Sequence, residues 1–119
     1  ISAIKDASKV VDILSTYELY GTKLVINRVR GDLMAGNEML SVADISNLFD
    51  IELIGVIPDD DAITTALSKG GAVQKNTKAE QAFQLLAENI HSGSNKIINF
   101  QKQYKGMLGY FKRKIKRNI

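Results

Sequence analysis

Two hydrophobic periods alternate along the chain. Ile4, Ala7, Val10, Val11 and Leu14 recur at helical spacing behind Ser2, a possible cap, and Gly21 offers a stop. Lys23 to Val29 has a continuous aliphatic, β-branched center, which predicts a strand covered on both faces. Residues 30–40, with Gly31 and Gly36, read as a loop. Ser41-Val42-Ala43-Asp44 is a near capping box, opening a helix with Ile45, Leu48 and Phe49 on one face. A second buried-type strand is predicted from Ile51 to Ile57, stopped by Pro58. Asp59, Asp60 and Asp61 are candidate N-caps for a short helix through Lys69, which Gly70-Gly71 breaks. Thr77-Lys78-Ala79-Glu80 is a full capping box. The helix behind it places Ala79, Ala82, Phe83, Leu86, Ala87 and Ile90 on one stripe. Ser92-Gly93-Ser94-Asn95 reads as a linker.

Strand, helix and strand within about 35 residues make a βαβ unit, and such units build parallel sheets. The fold class is therefore α/β. Two strands are too few for a parallel sheet covered on both faces. The expectation is that these 119 residues are the C-terminal part of a larger α/β domain.

Charge changes the picture at the end of the chain. Residues 1–95 hold 8 basic and 13 acidic side chains, a net of −5. Residues 96–119 hold 8 basic and no acidic side chains, a net of +8. On a helical wheel Tyr104, Met107, Leu108, Phe111, Ile115 and Ile119 fall within a sector of about 120°. Lys105, Lys112, Arg113, Lys114, Lys116 and Arg117 lie outside it. A bulky apolar face, a cationic face and no acids are the pattern of a helix in a membrane interface. Each basic residue near an anionic leaflet contributes about 1 kcal/mol, so the seven from Lys102 to Arg117 set a ceiling of about 7 kcal/mol. Gly106 and Gly109 each weaken the helix by about 1 kcal/mol relative to alanine. The tail is thus expected to be disordered in water and helical on lipid. A nucleic-acid arm is the rival reading, but phosphate binding gives no reason for a continuous Met-Leu-Phe-Ile stripe.

Zero cysteine excludes disulfides, thiolate metal sites and a cysteine nucleophile. His91 is the single histidine and reads as a surface residue, so no His-rich metal site or catalytic triad is expected.

Several segments in this order resemble the MinD septum-site-determining ATPases, in the deviant P-loop group that also contains ParA. The matching stretches are Ile4-Lys5-Asp6-Ala7, Leu24-Val25-Ile26-Asn27-Arg28-Val29-Arg30, Gly36 through Ile45, and Ile54-Gly55-Val56-Ile57-Pro58-Asp59-Asp60. Gly70 to Ala87 and the basic terminus match as well. The resemblance implies residues 1–91 as the C-terminal part of a parallel-sheet P-loop ATPase domain, 92–101 as a linker and 102–119 as a membrane-targeting amphipathic helix. It implies ATP as the ligand, with Asn27, Arg28, Pro58, Asp59 and Asp60 around the adenine at the strand ends. Asn27 can both donate to and accept from a base edge. The alternative is that Asn27 caps a turn and the aspartates cap the next helix. Lys5 and Asp6 would belong to a face meeting the regulators MinC and MinE, though Ser8 stands where many relatives carry a second acid. The whole protein would dimerize with ATP, pair two tails on anionic lipid at the inner face of the cell membrane, and help place the division septum. A ParA-like cargo positioner is the other family reading. No Gly-Lys-Ser/Thr phosphate loop occurs here, and its amides, lysine and magnesium-binding hydroxyl are missing with it. This chain alone is expected not to hydrolyze ATP.

Overall fold

The computed structural model describes residues 2–117, apart from the side chains of Ser2 and Arg117. The cap expected from Ser2, the lipid contact expected from Arg117, and Asn118 and Ile119 lie outside what is described. Helix α1 spans Ser2–Thr16, strand β1 Leu24–Val29, α2 Gly31–Ala35 and α3 Val42–Leu48. Strand β2 spans Leu53–Pro58, α4 Asp61–Lys69 and α5 Lys78–Ser92. A 3-10 turn at Lys102–Tyr104 leads into α6, Gly106–Arg117.

The two strands pair in parallel, with α2 and α3 in the crossover between them. β2 is buried along its length after Leu53, as its unbroken aliphatic run predicts. Ile26 and Val29 of β1, Met34 of α2, Val56 and Ile57 of β2, Ala82 of α5 and Phe100 form the core. Helix α5 lies along β2, presenting Ala79, Ala82, Leu86 and Asn89 in one row. Phe83 and Ile90 flank that row and stay exposed.

Caps set the helix boundaries. At α3 the capping box is complete: the Asp44 N–H donates to Ser41 Oγ, and the Ser41 N–H donates to Asp44 Oδ2. At α5 the Glu80 N–H donates to Thr77 Oγ1, but the Glu80 carboxylate accepts from Asn76, one residue earlier than the expected box. Residues 31–35, expected as loop, form α2 instead. No side chain caps this helix. Its first turn is held by Asp32, whose two oxygens accept from Arg30 Nε at 3.0 Å and Nη2 at 2.8 Å.

The segment expected as a linker contributes to the core. Asn89, 2% exposed, fastens it to the sheet. Its Nδ2 donates to the carbonyls of Ile54 and Lys96, both at 2.7 Å. Its Oδ1 accepts from the Ser94 hydroxyl at 2.8 Å and the Lys96 N–H at 3.2 Å. Phe100 then passes directly over Gly31, where a Cβ would lie 2.1 Å from the Phe100 carbonyl oxygen. Only a residue without a side chain admits that crossing.

Candidate cleft at the strand ends and the basic amphipathic helix

Beyond the carboxyl ends of β1 and β2 opens a cleft of about 950 Å³. Pro58, Asp59 and Asp60 line one side of it, and Lys112, Ile115 and Lys116 of α6 line another. The strand ends are tied together by the Asp59 N–H, which donates to the Val29 carbonyl at 3.0 Å. Asp59 itself is exposed, while Pro58 is buried.

Asp60 works as a double cap. One carboxylate oxygen accepts from the Ala62 N–H at 2.9 Å, at the start of α4. The other accepts from the Ala79 N–H at 3.0 Å, in the first turn of α5. A single carboxylate thus satisfies an orphan donor at each of two helix N-termini, where the dipoles also favor its charge. Asp60→Ala is expected to cost about 2 kcal/mol, the sum of two ordinary caps, and thermal unfolding will measure it.

Asn27 and Arg28 lie elsewhere. Ile26 pairs with Val56 and Val29 with Pro58, so β1 advances three residues while β2 advances two. The extra residue is a bulge, and Arg28 adopts φ 56°, a left-handed conformation costly for a non-glycine residue. Asn27 Oδ1 accepts from the Arg28 N–H at 2.9 Å within it. Both side chains are exposed and line a second cleft of about 890 Å³, bounded by α1 and by Met39 and Leu40. The five residues expected around one adenine therefore divide between two clefts. Lys5 and Asp6 are exposed on α1.

The sequence missed one charged cluster. Asp32 is 2% exposed, and Lys116 Nζ of α6 stands 3.8 Å from its Oδ1. Burial opposes its charge, but the Arg30 hydrogen bonds and then Lys116 outweigh it, holding the carboxyl below its ordinary 3.8. The same hydrogen bonds raise the Arg30 guanidinium. A lowered carboxyl contributes stability above its unfolded value that disappears as pH falls through the folded value. The stability difference between the wild type and Asp32→Asn is therefore expected to stay level above about pH 5 and to shrink below about pH 4. Urea unfolding across that range will check it.

In the tail, Met107 and Leu108 are 80% and 78% exposed, and Phe111 and Ile115 are 54% and 59% exposed. Lys105, Lys112 and Lys114 are exposed beside them. Tyr104, expected on the same apolar face, is instead buried in the 3-10 turn, because the helix begins only at Gly106. No described helix is long and apolar enough to cross a membrane.

A MinD protein of Chlorella vulgaris is 34% identical over 110 residues, covering 90% of this chain and 39% of that one. The septum site-determining protein MinD of Synechocystis is 29% identical over 118 residues, covering 97% and 44%. A solved MinD cell division protein of Aquifex aeolicus superposes with a TM-score of 0.77 at 26% identity, over 82% of this chain and 42% of that one. The chain is homologous to MinD proteins. It spans about two fifths of the length of these MinD relatives, and the solved structure is matched along its C-terminal portion. The parallel strand pair and its flanking helices are thus the corresponding part of the MinD P-loop NTPase fold. A MinC:MinD cell division protein complex of Aquifex aeolicus matches equally well, with a TM-score of 0.77 over 82% of this chain. No family model matches the chain.

Proposed function

We propose that this chain supplies the lipid-binding helix and part of the adenine side of a MinD-type ATPase that positions the division septum. One observation carries the lipid reading. Four large apolar side chains, Met107, Leu108, Phe111 and Ile115, stand outward on a helix without a single acid. An acid-free cationic helix with such a row fits the anionic inner face of a cell membrane, where the protein would bind reversibly as a peripheral protein. Two tails in an ATP-dependent dimer would bind more firmly than one.

The cleft residues fit the base end of ATP. Pro58 offers a flat apolar surface and Asp59 an exposed carboxylate acceptor for a base edge. ATP, when bound, supplies the phosphoanhydride whose hydrolysis powers the cycle. No residue here resembles a phosphate loop, and no cluster of carboxylates or histidines among the described residues is placed to hold magnesium. Those functions would come from residues outside this sequence. The MinC:MinD neighbor supports a MinC-type regulator as partner, and the exposed Lys5–Asp6 face of α1 is the candidate contact for it or for a MinE-like protein.

Cosedimentation tests the lipid reading. Wild-type chain is expected to pellet with vesicles containing phosphatidylglycerol, to stay in solution with pure phosphatidylcholine, and to leave duplex DNA unshifted at physiological salt. A DNA shift without vesicle binding would replace the lipid reading with the nucleic-acid one.

A further inference from the structure

The strand-end cleft lacks two of its expected base contacts, because the β1 bulge sends Asn27 and Arg28 to another cleft. Pro58 remains as a flat surface and Asp59 as an acceptor. A purine edge that offers an amino group also offers ring nitrogens, and those need a donor. Arg30 stands where that donor is missing. It follows β1 directly and lines the same cleft. Val29 pairs with Pro58, and the Asp59 N–H donates to the Val29 carbonyl at 3.0 Å. Arg30 and Asp59 therefore each lie one residue past a tied pair of strand ends.

A buried carboxylate holds Arg30 in one orientation. Its Nε and Nη2 donate to the two oxygens of Asp32 at 3.0 Å and 2.8 Å, a fork that fixes the guanidinium plane and leaves Nη1 unused. The pair is one-sided: the Asp32 side chain is 1% exposed and the Arg30 side chain 32%. The guanidinium is held above its ordinary value chiefly by the Asp32 hydrogen bonds, against burial, and the Asp59 charge adds to it. Lys78 also lines the cleft, but as a point charge on a flexible stem.

We propose that Arg30 donates to a ring nitrogen of adenine, and that Asp32, buried behind it, is its positioning residue. This role rests on the adenine reading above and gives it the donor it lacked. It also accounts for an ion pair at the start of α2 where a cap would serve the helix. A buried ion pair is a weak source of stability, but a buried carboxylate is well suited to aim an arginine. Lysine could satisfy Asp32 or the base, but not both from one fixed plane.

The full chain, titrated with adenosine and followed by proton and nitrogen NMR, tests this. Adenosine is the probe because this chain has no phosphate loop to hold a triphosphate. In the wild type, adenosine is expected to shift the Arg30 Nη1 signal more than the Nε signal that faces Asp32. Arg30→Lys retains a cation for Asp32 but should weaken adenosine about tenfold. Asp32→Asn keeps Arg30 but frees its plane, and should weaken adenosine at least about threefold. Among the deazaadenosines that each lack one ring-nitrogen acceptor, one should bind the wild type about tenfold more weakly than adenosine does. That analogue and adenosine should bind Arg30→Lys equally. The Nη1 signal and the analogues answer on the wild type even if both variants fail to fold. Adenosine binding with an unmoved Nη1 signal, or with every analogue bound as well as adenosine, overturns the role of Arg30 while the adenine reading stands. Wild-type affinity in Asp32→Asn overturns the positioning role of Asp32. A wild type that takes no adenosine overturns the adenine reading, and the role of Arg30 with it.

Discussion

Asn89→Ala is expected to lower the unfolding free energy by about 2–4 kcal/mol, as a shift of the urea midpoint at unchanged slope. The side chain is nearly inaccessible and satisfies four backbone or hydroxyl partners. Its loss leaves the Ile54 carbonyl, inside the sheet, without that bond, and releases the segment that carries Phe100 into the core. Asn89→Asp should cost more than alanine. It would point carboxylate oxygen at two carbonyls that now receive N–H donors, and it would bury a charge. If both variants unfold within about 0.5 kcal/mol of the wild type, Asn89 does not anchor the segment.

Phe111→Glu should weaken binding to phosphatidylglycerol vesicles by at least about a hundredfold. Withdrawing the phenyl ring from the bilayer forfeits about 1.5–3 kcal/mol, and a carboxylate facing an anionic surface costs about 1 kcal/mol more. At 1.4 kcal/mol per tenfold, the sum is about two to three decades. Lys114→Gln, an exposed residue of the cationic face, should lose only about fivefold by the same arithmetic. Binding curves at constant salt will compare them. Equal affinity of Phe111→Glu and wild type would remove the apolar stripe from the mechanism.

The elements with local signals were legible in the sequence. The aliphatic runs around Val25 and Val56 became the two paired strands, and Ser41, Asp60 and Thr77 became observed N-caps. What escaped depended on partners far along the chain. α2 has no cap and begins with glycine, because Asp32 is held by Arg30 and Gly31 makes room for Phe100. Asn89 carried no local signal, yet it occupies the innermost row, where two carbonyls await it. The resemblance put Asn27, Arg28, Pro58 and Asp59 around one base, but the β1 bulge turns the first two toward another cleft. Tyr104 fell on the apolar sector only if the helix started early. A helix that starts at Gly106 leaves its ring for Lys116.

The crossing of Phe100 over Gly31 also bears on how the chain is made. Synthesis runs from the N-terminus, so β1, α2 and β2 emerge well before the residue that closes their core. Until Phe100 arrives, the core it shares with Met34 and Val29 lacks its ring, which leaves a nascent chain with aggregation-prone apolar surface. A released chain ending between residues 92 and 99 should therefore be protease-sensitive, and one ending at residue 105 resistant. The last fifth of the chain, which looked like a tether with a lipid anchor, would then decide when the domain is finished.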